Sequence, residues 1–167
     1  MNIPYYKEKI SNDGFFVLEA IFTDEEIEKL VQAISKVDTS CQTARKTSDL
    51  FAIRQFLKEV PQATELIFNE RLNTLIAEIF GDEFFVVKSI YFDKPESSNW
   101  FVAYHQDLTI SVDKKLHVDG FSSWTTKQNQ YAVQPPLDIL QDNFTLRIHL
   151  DNTNEENGAL KIIQNHI

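Results

Sequence analysis

The sequence has little of what disulfide-linked and membrane-spanning proteins need. It contains one cysteine, Cys41, so no internal disulfide can form, and a reducing, cytoplasmic setting is predicted. No run of apolar residues approaches the roughly 18 that a membrane-spanning helix needs. Residues 1–9 lack the apolar core of a signal peptide. The sequence also has neither repeats nor low-complexity tracts, so it indicates an ordinary folded chain.

Basic residues are scarce relative to acidic ones. Sixteen Lys and Arg stand against 25 Asp and Glu, and the net charge at pH 7 is −9. Because phosphate contacts need clustered positive charge, this balance disfavours nucleic acids and anionic membrane surfaces as partners. A small molecule remains the expected partner, and a local basic pocket could still attract an anion despite the net charge.

Hydrophobic residues, in contrast, are abundant. The 167 residues are 43% hydrophobic and include 13 Phe, which is ample for a packed core. The length predicts a single domain over residues 1–167. Helix patterns come first and strand patterns follow, which is typical of the α+β class.

Helix signals are concentrated before residue 81. Thr23 and Glu26 form a capping-box pattern. The apolar residues that follow recur at helical spacing. A short strand is expected just before this box, over residues 14–22. The predicted helices span residues 24–36, 50–60 (ending at Pro61), 62–68 and 70–80 (closed by Gly81).

Strand signals dominate the rest of the chain. The predicted strands span residues 84–91, 105–112, 144–150 and 159–163. Residues 113–135 form a long polar connection between two of them, and such a length is typical of a functional lid. Trp124 and Tyr131 in this connection either close over a substrate or pack the lid onto the domain.

A His-X-Asp pair, His105 and Asp107, lies inside the predicted strand 105–112. Alternate side chains share one face of a strand, so this imidazole and this carboxylate can reach one metal ion. With a second, distant His, such a pair forms the facial triad of non-haem Fe(II) oxygenases. So short a motif also arises by chance, and His117 with Asp119 fits it equally well. The second pair lies in a polar stretch beside Gly120, where an exposed loop is expected.

Three longer motifs resemble a known family. They read FDKPESSNWFVAYHQDLTISV from Phe92, VQPP from Val133 and LRIHLDNTNEENGAL from Leu146. In order and spacing they resemble the phytanoyl-CoA dioxygenase family of Fe(II)/2-oxoglutarate oxygenases. The resemblance implies a double-stranded β-helix, the cupin-type jelly roll, with the N-terminal helices packed outside. It also implies hydroxylation of a small molecule, with Fe(II) and 2-oxoglutarate as cofactors.

The resemblance also assigns residues. His105 and Asp107 become the first two iron ligands, and His117 falls in a variable loop. Asp107 favours hydroxylation, because related halogenases lack this carboxylate. The implied cofactor-binding residues are Arg54, Lys94, Asn99, Gln106 and Arg147.

Each of these assignments competes with a plainer interpretation. A guanidinium suits a carboxylate, but Arg54 would equally serve as a surface residue. Turn chemistry around Pro95 would explain Lys94 and Asn99. His149 shares a predicted strand with Arg147, yet family ligands with this motif come later, so a hydrogen-bonded structural role is expected for it.

The third iron ligand and a second cofactor arginine lie further along the chain in family members. The family pattern Pro-Gly-Ser-His after LKII is replaced here by Gln164 to Ile167. The expectation is therefore a jelly roll incomplete at its C-terminus, with open strand edges that a homo-oligomer could cover. Two alternatives to an active dioxygenase stay open: a catalytically inactive truncated homologue, and a cupin-like module that binds another divalent metal.

Overall fold

The computed structural model describes residues 2–37, 44–46, 51–93, 103–127, 130–155 and 159–164. They belong to two compact units, one drawn from residues 1–38, 57–85 and 159–167 and the other from residues 39–56 and 86–158. The elements in chain order are α1 Ile3–Asp13, α2 Asp24–Ser35, β1 Ala44–Lys46, β2 Phe51–Arg54, α3 Phe56–Glu59, α4 Gln62–Ile67, α5 Glu70–Phe80, β3 Ile90–Asp93, β4 Ile110–Val112, β5 Ser122–Lys127, β6 Gln130–Gln134 and α6 Leu137–Gln141. The fold is thus a mixture of helices and antiparallel strands.

Helix α2 begins where the sequence predicts. The Thr23 hydroxyl accepts from the Glu26 amide at 3.2 Å, and the Glu26 carboxylate accepts from the Thr23 amide at 2.8 Å. Helix α5 is also confirmed, with its first turn capped by Asn69, whose Oδ1 accepts from the Leu72 amide at 3.0 Å. Local capping chemistry therefore fixes both helix starts.

The first unit is built on the apolar faces of these helices. Helix α2 packs against α4, and α1 packs against α5. Arg71 ties α5 to the start of α2, because its Nε donates to the Ile21 carbonyl and its guanidinium pairs with the Glu26 carboxylate. The buried residues of this unit are Leu30, Ala33, Ile34, Val60, Ala63, Ile67, Leu72, Leu75 and Ile76.

Two expectations for the N-terminal part are wrong. Residues 1–13 are expected to be a short lead-in without regular structure, but helix α1 forms there, because Asn2 caps it, Pro4 fits its first turn and Gly14 ends it at φ 80°. Residues 14–22 form no strand, and Val17 there is 75% exposed. An apolar stretch with no neighbouring strand has no ladder to join.

The predicted helix over residues 50–60 is wrong in its first half. Residues 51–54 form β2, the central strand of a three-stranded antiparallel sheet ordered β1-β2-β3. Gln55 then adopts φ 54°, a left-handed conformation that ends the strand before the short α3. Pairing with two neighbouring strands therefore overrides the local helix propensity.

The second sheet is also antiparallel, in the order β4-β6-β5. Strands β5 and β6, of six and five residues, lie within residues 113–135, so the expectation of a long lid without regular structure is wrong. Among the described residues neither sheet closes on itself. Only the last residues of two predicted strands, 84–91 and 105–112, are in strands. The other two predictions are wrong, because no strand forms at residues 144–150 or 159–163. The described part of the chain holds no helix with the length and apolar character to cross a membrane.

Thr23→Ala is expected to lower the free energy of unfolding by about 1 kcal/mol, because one amide of the first turn of α2 loses its side-chain acceptor. Chemical denaturation followed by helical circular dichroism measures the change. Thr74→Ala, at an exposed position inside α5, is the control and should change stability by less than about 0.5 kcal/mol. Equal effects of the two substitutions would contradict the capping role.

Tyr91 makes the second unit sensitive to alkaline pH. Its ring lies 6.2 Å from Phe51 and 5.9 Å from Phe56, measured between centroids. Burial, with smaller contributions from Asp93 and Asp151, raises the pKa of Tyr91 to about 12. The folded state thus favours the neutral phenol, and that stability is present below pH 10, the ordinary pKa, and is lost as the pH rises towards 12.

Wild-type protein should therefore lose about 1 kcal/mol more stability than Tyr91→Phe over this pH range, since solvent screens a half-buried group. Denaturation midpoints of the two proteins at stepped pH measure the difference. Parallel pH profiles would show that the Tyr91 phenol titrates normally.

Candidate functional site

The His105 imidazole is held by a backbone hydrogen bond. His105 is exposed, and its Nδ1 lies 2.8 Å from the Ala103 carbonyl oxygen. A carbonyl can only accept, so Nδ1 carries the hydrogen and donates it. In the neutral ring the lone pair is then on Nε2. A histidine that binds a metal usually donates its other ring N–H in this way.

Asp107 follows two residues later and is also exposed. The segment around the pair departs from expectation, since β4 begins at Ile110 and residues 103–109 belong to no strand. Strand β6 pairs with residues 110–112 through Tyr131, Ala132 and Val133. Because strand alternation does not apply at residues 105 and 107, convergence of the two side chains on one ion stays a prediction.

The donor chemistry of the pair fits a non-haem iron. An imidazole nitrogen and a carboxylate oxygen are two of the three ligand types in the facial triad, and both groups are accessible. Among the described residues, no three His, Cys, Asp or Glu side chains are grouped so as to hold a metal. The pair therefore fits iron as part of a ligand set.

The predicted cofactor-binding residues are dispersed over the described elements. Arg54 is half-buried at the end of β2, opposite Ile90 of β3. Gln106 is exposed between the two candidate ligands. Lys94 and Asn99 lie outside the described residues.

Arg147 lies in an irregular segment after α6. Arg147 is exposed, and desolvation of the part that the protein covers lowers the pKa of its guanidinium below the ordinary arginine value. An arginine still keeps its charge at neutral pH. A partly desolvated cation attracts a carboxylate more strongly than one in bulk water does.

The two other described histidines have different surroundings. His149 Nδ1 lies 2.9 Å from the Thr153 hydroxyl, which in turn lies 3.4 Å from Asp151 Oδ1. This contact agrees with a hydrogen-bonded role for His149. His117 is exposed in the loop between β4 and β5, as expected for the second His-X-Asp pair.

Sequence reasoning missed a cavity beside the second sheet. Its volume is about 410 Å³, and we call it the Trp124 pocket. The signals are Trp124 itself and the alternation of Leu116 with Val118, which the expectation of a functional lid obscures. The lining residues are Val112, Asp113, Lys114, Leu116, Val118, Phe121, Trp124 and Val133.

Comparison with known proteins identifies the family. A family model described as phytanoyl-CoA dioxygenase (PhyH) matches residues 10–165, and both His105 and Asp107 fall inside the match. Neither the curated proteins nor the solved structures include one that matches this chain. The family match spans nearly all of the 167 residues. The chain therefore belongs to the phytanoyl-CoA dioxygenase family.

Proposed function

We propose that the protein is an Fe(II)/2-oxoglutarate-dependent dioxygenase that hydroxylates a small molecule. Membership of the phytanoyl-CoA dioxygenase family points to this oxygenase class. The observation that carries the proposal is the hydrogen bond from His105 Nδ1 to the Ala103 carbonyl. It selects the tautomer whose Nε2 can bind a metal, next to a carboxylate two residues away.

In this proposal His105 Nε2 and a carboxylate oxygen of Asp107 hold the iron. When bound, Fe(II) together with 2-oxoglutarate supplies the oxygen activation that protein side chains lack. Both groups are exposed, so metal and cofactor can reach them without local unfolding. The Ala103 carbonyl keeps the imidazole oriented and raises its basicity as a ligand.

The arginines supply positive charge for the carboxylates of 2-oxoglutarate. Arg147 and Arg54 are both candidates, since a guanidinium matches the geometry of a carboxylate. We assign Arg54, Gln106, Lys94 and Asn99 supporting contacts to the cofactor. A guanidinium can hold one carboxylate through two parallel hydrogen bonds, which fixes orientation as well as charge.

We further propose the cupin-type jelly roll as the fold in which these groups meet, in one domain over residues 1–167. The two antiparallel sheets of the second unit are consistent with parts of such a roll. A small molecule is the proposed substrate, and self-association would cover the open edges of β4 and β5.

The proposal is tested by measuring succinate formed from 2-oxoglutarate in the presence and absence of Fe(II). Succinate formation that requires Fe(II), and that rises when a mixture of small-molecule extracts is added, is expected. Uptake of the metal without any succinate would instead support a metal-binding module. A chain that neither binds Fe(II) nor forms succinate would be the inactive homologue.

A further inference from the structure

The Trp124 pocket has the size and walls of a small-molecule site. Its volume of about 410 Å³ lies within the range of ligand cavities, roughly 300–1,000 Å³. Most of its lining is apolar, including the aromatic rings of Phe121 and Trp124. Aromatic rings of a ligand stack favourably against such walls.

An irregularity in β5 orients Trp124. The pairing of β5 with β6 shifts register between Ser122 and Thr125, as in a β-bulge. Ser123 adopts φ 53°, which is uncommon for a residue other than glycine. Trp124 is the one residue of β5 that is not fully exposed. Strained backbone of this kind tends to persist where it positions a functional side chain.

A second part of the pocket lining comes from the loop between β4 and β5. Leu116 is 58% exposed and Val118 is 46% exposed, so this wall presents apolar surface to solvent. A turn anchors it, since the Phe121 amide donates to the Val118 carbonyl at 3.3 Å. Gly120 in this turn has φ 82°, and a Cβ there would lie 3.0 Å from Pro136 Cγ. The turn and the close approach of Gly120 to Pro136 thus define the path of the backbone at this end of the loop.

Two lysine side chains lie at the Trp124 pocket. Lys114 is a lining residue, and the Lys115 ammonium lies 5.9 Å from the centroid of the Trp124 ring, within cation–π range. Asp113 also lines the pocket and Asp119 lies in the same loop, so these four side chains together carry no net charge. The case for an anionic ligand is instead the position of Lys115 beside the aromatic wall, next to the lining residue Lys114.

We infer that the Trp124 pocket binds a small aromatic anion, with its ring between Leu116, Phe121 and Trp124 and its acidic group facing Lys114 and Lys115. The inference needs no bound iron and does not depend on the proposed dioxygenase activity. Binding of a small aromatic acid to the pocket is therefore sufficient to test it.

The test uses 3-(4-fluorophenyl)propionate as the probe, with its binding followed by fluorine NMR. The matched neutral alcohol, 3-(4-fluorophenyl)propanol, isolates the contribution of charge, and acetate isolates that of the ring. The acid should bind about two- to fivefold more tightly than the alcohol, a ratio typical of an exposed ion pair. Acetate should compete poorly. Equal affinity of acid and alcohol would overturn the anionic assignment.

Two pairs of variants locate the binding site. Leu116→Asp should abolish binding of the acid, whereas Leu137→Asp, a similarly exposed leucine of α6 outside the pocket, should leave it unchanged. The Lys114→Ala, Lys115→Ala double variant should reduce affinity for the acid to that for the alcohol. Lys127→Ala, an exposed lysine of β5 outside the pocket, is its control. Binding that survives Leu116→Asp in a folded protein would place the probe elsewhere and refute the inference.

Discussion

Replacing His105 with alanine is expected to eliminate Fe(II)-dependent succinate formation. The substitution removes the Nε2 lone pair that the Ala103 hydrogen bond leaves available for a metal. Loss of a direct ligand should weaken Fe(II) binding by more than about 100-fold, since changes to groups that merely orient a ligand already cost 10- to 100-fold. Succinate release and Fe(II) binding, measured on the same preparation, check the prediction.

The second His-X-Asp pair provides a matched control for this experiment. His117→Ala also removes an exposed imidazole two residues before an aspartate, so it should leave both iron binding and succinate formation intact. Asp107→Ala should behave like His105→Ala. If His117→Ala and His105→Ala lower activity equally, the assignment of the first pair as ligands is wrong.

Replacing Ile53 with alanine is expected to lower the free energy of unfolding by about 2–5 kcal/mol. Ile53 is fully buried in β2, the central strand of the first sheet, and faces Tyr91 across the ladder with β3. Truncation removes buried methyl groups and leaves a cavity in a close-packed interior. Since a domain of this size is stable by about 5–15 kcal/mol, the loss is a large fraction of the total.

Urea denaturation of the variant measures this loss as a lower midpoint. Phe92→Ala is the control, because Phe92 lies on the neighbouring strand and pairs with Ala52, yet it is 50% exposed. Its removal should cost less than about 1 kcal/mol despite the larger side chain. A greater loss from Phe92→Ala than from Ile53→Ala would contradict the burial described here.

Local chemistry explains what the sequence could predict. Helices α2 and α5 begin at Thr23 and Asn69, whose side chains cap their first turns whatever the rest of the chain does. Asn2, Pro4 and Gly14 are likewise helix-boundary residues and mark the two ends of α1, although the stretch between them is short and polar.

Non-local pairing explains what the sequence could not predict. The sequence pattern predicts a helix at residues 51–54, but these residues form a central strand because β1 and β3 flank them. Residues 84–89 and 105–109 carry strand-like side chains but extend beyond the short partner strands. A ladder requires a partner of equal length, and a single sequence does not reveal that length.

Some features of the candidate site can be predicted from the sequence, and others depend on the folded backbone. The ligand types His105 and Asp107 were readable from spacing and from the family motifs that surround them. The hydrogen bond that sets the His105 tautomer was not, since its acceptor is the backbone of Ala103, which is independent of side-chain identity. The Trp124 pocket depends on the bulge at Ser123, a backbone feature without a sequence signature.

The most direct test is long-range proton–nitrogen NMR of the imidazole rings, which distinguishes a ring protonated at Nδ1 from one protonated at Nε2. The chain has four histidines, so each ring can be assigned from single variants. Without metal, His105 should show the tautomer protonated at Nδ1, and addition of diamagnetic Zn(II) should shift its Nε2 signal while His117 stays unchanged. A His105 ring protonated at Nε2, or a metal that shifts only the other histidines, would contradict the account.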